Sequence, residues 1–320
     1  MRMSYKKKVF YIGLFIIILI IFMHPDMQGV RSYEFIAKEK IISSLHEELA
    51  TNFTSSAISN CEYYANVYDE TVLSPTLVDG DLVESHKIKE GGEYAPVECK
   101  PKYSTAIIVP YRDRAEQLRG FLVYMHTFLH YQRIHYRIYV VEQIDTKPFN
   151  RAKLLNIGAK AAIKAGFPCL ILHDVDLLPL RPANLYMCTK QPRHMSSSIN
   201  KFRFVLPYVN LFGGVVAILS KQFQTINGMS NEYFGWGGED DDLFMRLEDH
   251  DLKLCRFDPE ISKYHMSIHS SQQKGEEIKK LLSSAKERMS TDGLNSLKYA
   301  EVATVMHPLF THIMVDLEQK

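Results

Sequence analysis

No surplus charge of either sign marks this 320-residue chain: 38 Lys and Arg stand against 37 Asp and Glu, a net charge of +1. A nucleic-acid-binding domain normally carries a basic excess, so the balance argues against that class. Glycine-rich, proline-rich and repeated tracts are missing, which excludes collagen-like, solenoid and low-complexity architectures. Cysteine is scarce, and none of the five falls at a CxxC spacing that suggests zinc. What is present is a hydrophobic content of 46%, enough for a full core in one large domain or two small ones.

The start of the chain is uneven. Arg2, Lys6, Lys7 and Lys8 precede an unbroken apolar run over residues 9–23. It is about fifteen residues long, shorter than an average membrane span of ~20. No small-x-small cleavage site follows, so an uncleaved signal-anchor is favoured over a signal peptide. The basic residues before it place residues 1–8 in the cytosol and the rest in a lumen. A short span suits a thin, early secretory membrane. Residues 24–60 then read as a stem, with a helical patch near 36–49, and residues 61–320 as the main folded domain. Asn52-Phe53-Thr54 is a glycosylation sequon on that stem. A lumenal setting permits disulfides among Cys61, Cys99, Cys169, Cys188 and Cys255, with at least one left over.

Beyond an irregular lead-in the pattern becomes β–α–β–α–β. Residues 105–109 read as a buried strand, followed by a helix with Leu118, Phe121, Leu122, Met125 and Leu129 on one face. Residues 137–141 and 169–172 read as strands around a helix over 151–165 that Asn150 caps. Strands are also expected at 204–208, 214–219 and 310–315. A short helix is expected from Ser220, and an amphipathic one from Gly275 through Ile278, Leu281, Leu282, Ala285 and Met289. Alternation of this kind predicts an α/β fold with a mostly parallel sheet, with ligands outside the carboxyl ends of its strands. Two unusual stretches fall there. Tyr111-Arg112-Asp113-Arg114 offers guanidinium forks that suit a diphosphate. Asp174-Val175-Asp176 suits a divalent cation bridging phosphates. Taken singly, the first also fits a surface ion-pair cluster with Asp113 and Glu116, and an Asp-x-Asp is common by chance.

The most distinctive stretch is Gly235-Trp236-Gly237-Gly238-Glu239-Asp240-Asp241-Asp242. The glycines permit close approach, and the indole offers a flat face to a sugar ring. Four successive carboxylates call for a cation or a proton transfer nearby. Helix capping is the plainer explanation, because Leu243, Phe244 and Leu247 follow at helical spacing.

Together these motifs, with Phe149-Asn150-Arg151, Gln191-Pro192-Arg193-His194, Phe212-Gly213-Gly214 and Asp292-Gly293-Leu294-Asn295, closely resemble the β-1,4-galactosyltransferases. These are Golgi type II membrane enzymes of GT-A fold that invert the anomeric centre. The resemblance covers residues 61–316. It implies that Pro110, Tyr111, Arg112, Arg114, Phe149, Arg151, Asp174, Val175 and Asp176 bind the UDP-sugar, covered by Trp236. It implies Mn²⁺ held by Asp176, Met266 and His269; residue pattern alone reads Met266 as core. Asp240 matches the catalytic base, and Tyr208, Gly238, Glu239 and Asp240 the acceptor site for a glycan ending in N-acetylglucosamine. The implied disulfides are Cys61 with Cys99 and Cys169 with Cys188.

Two departures stand out. Leu211 replaces the tyrosine of galactose-specific vertebrate members, opening room at the donor's C2 substituent, which predicts UDP-GalNAc rather than UDP-Gal. The segment 270–288 is shorter than in the vertebrate archetype and carries Lys279 near the place of an acceptor-packing aromatic, with Ile278 or Leu282 as substitutes. A non-catalytic glycan-binding protein or transferase partner is the rival class. A phosphohydrolase would want a second metal-ligand cluster.

Overall fold

The computed structural model describes residues 5–23, 29–30, 32–57, 59–75, 87–267, 275 and 277–318. Its centre is strand Ser104–Tyr111, buried at every position. Such a strand must be covered on both faces, and alternate residues point to opposite layers. Ile107 and Val109 join Phe121, Met125 and Leu129 of helix Ala115–Tyr131. Ala106 and Ile108 join Leu154 and Leu155 of helix Arg151–Lys164. Full burial of each such side chain is worth about 1.5–3 kcal/mol.

The sheet is mixed, which corrects the expectation of a mostly parallel one. Its strand order is Ala300–Met306, Thr311–Asp316, His135–Gln143, Ser104–Tyr111, Cys169–His173, Val215–Leu219, Arg193–His194, with Glu93–Tyr94 paired outside that path. The four strands from Thr311–Asp316 to Cys169–His173 are mutually parallel. Both flanks are antiparallel. Three of the parallel strands, Ser104–Tyr111, His135–Gln143 and Cys169–His173, are joined by helices. Val215–Leu219 returns without a crossover helix, and Ala300–Met306 forms a hairpin with Thr311–Asp316.

Residues 204–208 do not form the expected strand. Arg203 and Phe204 both have positive φ, 53° and 61°, which breaks an extended chain, and Pro207 lacks a donor. The helix expected from Gly275 consists of two short helices, Ile278–Ser283 and Ala285–Arg288.

Residues Tyr5–Met23 form one helix of 19 residues. Among the described residues no helix is long and apolar enough to cross a membrane. Three lysines occupy the start of this one, and the remaining apolar run rises only about 22 Å against a hydrocarbon core of ~30 Å. Within residues 24–60, Ile41, Leu45 and Ala50 are buried against the domain. Val30 and Ile36 bridge to Leu206 and Phe257. Asn52 lies exposed in a turn. The disulfides are Cys61–Cys99 and Cys169–Cys188, and Cys255 is a free thiol.

Candidate active site

The parallel strands end on one side of the sheet, where a cavity of about 400 Å³ opens. Pro110, Arg112 and Arg114 reach it from the end of Ser104–Tyr111, and Asp174, Val175 and Asp176 from the end of Cys169–His173. Phe149 and Arg151 line it ahead of and at the start of their helix, and Gly235, Trp236 and Glu239 close another side. Tyr111 stays buried within its strand. Motifs more than a hundred residues apart in the chain therefore face one space.

Arg151 ties them together. Asn150 accepts a hydrogen bond from the Lys153 amide at 2.9 Å and donates to the Asn231 carbonyl at 2.7 Å, which fixes the helix start. From there the Arg151 Nε donates to Asp174 Oδ1 at 2.6 Å and its Nη1 to Asp240 Oδ1 at 2.8 Å, with Glu239 at 3.8 Å. One guanidinium faces three carboxylates. Burial, helped by the neighbouring charges of Glu239, Asp174 and Asp241, pushes the Asp240 carboxyl up to about 8 against the opposing pull of Arg151. Burial raises Glu239 as well. Beside them His173 is buried and lowered to about 4, a neutral ring between Tyr186 and the Asp174 carbonyl.

The four-acid run divides by role. Glu239 and Asp240 face Arg151. Asp241 accepts from the Tyr208 hydroxyl at 2.8 Å. Asp242 turns inward to Arg246 at 2.6 Å, with both side chains fully buried. Gly238 begins the helix at a φ of 93°, where a side chain would be strained. Gly213 is needed for space, since a Cβ there would lie 2.0 Å from Asp240 Oδ2.

Met266 faces the same cavity as Asp176. Strand Leu177–Pro179, which starts right after Asp176, pairs Leu177 with Met266 of strand Lys263–Met266, and the Ser267 amide donates to the Asp176 carbonyl at 2.8 Å, so two of the three expected ligands are held side by side. His269 lies outside the described residues. Arg114 donates to Asp176 Oδ2 at 3.4 Å. Among the described residues no group of three His, Cys, Asp or Glu gathers for a metal, and Asp176 is the one expected ligand of those types among them. Trp236 is 64% exposed at the rim. Leu211 does not line the cavity; it closes a turn onto the Tyr208 carbonyl at 3.2 Å. Lys201 also lines the space and went unnoticed in the sequence, where nothing around it forms a motif.

Residues 70–189 match the model of the N-terminal region of glycosyl transferase group 7, and residues 193–270 that described as the N-terminal domain of galactosyltransferase. The chain is 43% identical over 251 residues to β-1,4-galactosyltransferase 2 of Mus musculus, covering 77% of this chain and 68% of that one. The chain belongs to the β-1,4-galactosyltransferase family. It is 44% identical over 246 residues to β-1,4-galactosyltransferase 1 of Bos taurus, where the match spans 75% of this family member and 61% of the bovine protein. Among solved structures it resembles Drosophila β-1,4-galactosyltransferase 7 bound to xylobiose, at 30% identity and a TM-score of 0.57, over 68% of this chain and 95% of that one. A mutant of the same enzyme, solved with manganese, UDP-Gal and xylobiose, gives a TM-score of 0.59 at the same identity and coverage. Between them the two family matches include the cavity's two halves, with Arg112, Arg151 and Asp176 in the first and Glu239, Asp240 and Met266 in the second.

Proposed function

We propose that this chain is an inverting, Mn²⁺-dependent glycosyltransferase that moves N-acetylgalactosamine from UDP-GalNAc, in β-1,4 linkage, to the terminal N-acetylglucosamine of a glycan. The observation that carries the reading is the Arg151 bridge between Asp174 and Asp240, which joins a phosphate-and-metal side to a proton-accepting side. Arg112, Arg114 and Lys201 supply cationic partners for a diphosphate in one cavity. Asp176 and Met266, held side by side, fit a divalent cation, with His269 as the third ligand. The carboxylate suits manganese, the soft thioether of Met266 is an unusual partner for so hard an ion, and manganese in the Drosophila complex supports the assignment. When bound, the metal supplies charge stabilisation to the departing UDP.

The residues themselves account for the rest. Asp240 takes the proton of the acceptor hydroxyl as that oxygen bonds to the anomeric carbon and the bond to the diphosphate oxygen breaks. A carboxyl raised toward neutrality is a better base than an ordinary one. Glu239 and Tyr208 hold the acceptor beside it, and Trp236 covers the donor.

Leu211, although it does not line the cavity itself, stands where galactose-specific relatives carry tyrosine, and the loss of that hydroxyl and bulk supports UDP-GalNAc. The relatives' names, and UDP-Gal in the Drosophila complex, support UDP-Gal as the second reading. Golgi placement as a type II protein, anchored by residues 9–23, is supported by the lysines before the apolar helix, the exposed sequon and the two disulfides.

The test compares transfer from UDP-GalNAc and UDP-Gal to a β-linked N-acetylglucosamine acceptor, using the full chain with Mn²⁺. Faster transfer from UDP-GalNAc, reversed by Leu211→Tyr, is expected. Preference for UDP-Gal would keep the reaction and overturn the donor assignment. Asp240→Asn should lower kcat by about 10²–10⁴ while UDP and Mn²⁺ still bind; a near-normal rate would remove it as the base.

A further inference from the structure

The turn carrying Tyr208 and Leu211 has no regular element to hold it. One buried side chain, Arg256, holds two of its carbonyls. The Nη2 of Arg256 donates to the Val209 carbonyl at 2.7 Å and to the Leu211 carbonyl at 2.9 Å, and its Nε donates to His194 Nδ1 at 3.2 Å. Arg256 is 5% exposed, and among the described residues it forms no ion pair with a carboxylate. Burial keeps His194 neutral, so its ring can accept that bond. Such a site uses the planar fork of a guanidinium to set the direction of two carbonyls, which a single ammonium cannot reproduce.

Arg256 is backed by residues far earlier in the chain. Its Cζ lies 5.2 Å from the centre of the Tyr33 ring, and the Tyr33 hydroxyl bonds Ser197 Oγ at 2.9 Å. The Ile36 amide donates to the Arg256 carbonyl at 2.8 Å, and the Val30 amide to the Leu206 carbonyl at 2.7 Å, just ahead of the same turn. Residues between the apolar helix and the catalytic domain thus pack behind the turn instead of only spacing the domain away.

We infer that Arg256 is a positioning residue for the turn 208–211, and that Tyr33 holds Arg256 in place, so that the segment preceding the catalytic domain tunes donor selection. The inference rests on the proposed role of Leu211 in donor choice, exerted through the turn behind the cavity wall, and extends it to two side chains that touch no substrate. It also links Leu211 to the acceptor side, because the same turn carries the Tyr208 hydroxyl that Asp241 accepts.

The experiment uses the full chain with Mn²⁺ and measures kcat and KM for UDP-GalNAc and UDP-Gal in Arg256→Lys, Tyr33→Ala and Tyr33→Phe, with thermal unfolding of each. Loss of one charge-assisted bond predicts about a tenfold change in donor KM, or in the ratio of the two donors, in Arg256→Lys, with kcat for the preferred donor within about threefold. Tyr33→Ala should move the same quantity in the same direction by less. Tyr33→Phe keeps the ring and should stay close to native. If Arg256→Lys does not fold, Tyr33→Ala decides by the same readout. Native donor KM and ratio in the deciding variant, or an equal loss of kcat for both donors that only follows a lower Tm, would overturn the inference. Leu211→Tyr, run beside them, tests the donor reading separately. A ratio that moves with Leu211 but not with Arg256 sinks the inference alone. A ratio that moves with Arg256 but not with Leu211 upholds the positioning role and removes Leu211 as the selector.

Discussion

Arg151 faces Asp174, Asp240 and Glu239 within 4 Å, so its one charge cannot neutralise all three carboxylates. That imbalance, added to burial, is why Asp240 rises to about 8 from its ordinary 3.8. A carboxyl raised on folding stabilises the native state fully only below its unfolded value, and the contribution is lost as pH rises through the folded one. Asparagine at the same place cannot ionise and loses nothing. In metal-free protein the Tm of Asp240→Asn should therefore exceed that of wild type by a margin that grows from about pH 4 to about pH 8 and is level above. A margin independent of pH would show that Asp240 titrates in the ordinary range. At this scale the sequence was informative where residues sat in motifs and silent elsewhere. Arg112, Arg114 and Asp176 stand beside recognisable partners. Lys201 stands on the short 3₁₀ helix Asn200–Phe202 and Arg256 at a buried packing position, and no local pattern announces either.

Helix Glu239–Asp249 shows how an element distributes one run of like charge. Its first turn carries four acids, which the helix dipole favours, and Gly238 supplies no side-chain cap. Successive residues are rotated about 100° apart, so the four cannot share a neighbour. Two face Arg151, one meets Tyr208, and Asp242 enters a buried network with Arg246, Arg288 at 3.5 Å and Tyr233 at 3.1 Å. Asp292 completes that network through Ser230, Asn231 and Arg288. Removing the carboxylate leaves the fully buried Arg246 without its ion-pair partner at 2.6 Å. Asp242→Ala should then cost about 3–5 kcal/mol in denaturant unfolding. UDP and Mn²⁺ binding by the folded fraction should remain native, unlike the effect of substitutions that reach the cavity. A loss below about 1 kcal/mol would mean that Asp292 alone satisfies Arg246. Sequence spacing showed that a helix begins here. Which acid serves the fold and which the site depends on elements such as residues 288–292 that fold against it from later in the chain.

Across the whole molecule, the legible part was the parallel middle of the sheet, where full burial writes continuous apolar runs and crossover helices follow in order. The antiparallel flanks were harder. Strand Ala300–Met306 is largely exposed and shows no clear alternation, so its sequence does not distinguish an edge strand from a loop. The two disulfides divide along the same line. Cys61–Cys99 closes a separation of 38 residues at the entry to the domain, and Cys169–Cys188 one of 19 that begins on the central strand Cys169–His173. Loop-closure entropy ranks their removal at about 4 and about 3 kcal/mol, respectively. Their consequences for the site should run the other way. Cys169 sits at the start of the strand whose end presents Asp174 and Asp176, whereas Cys61 only ties the lead-in to Lys100 through its backbone. The Cys169→Ser/Cys188→Ser variant should therefore show the larger rise in KM for the UDP-sugar, and Cys61→Ser/Cys99→Ser the larger fall in denaturation midpoint. Equal KM values in the two double variants, measured below both unfolding transitions, would show that strand Cys169–His173 is held by the sheet alone and that its disulfide does not act on the site.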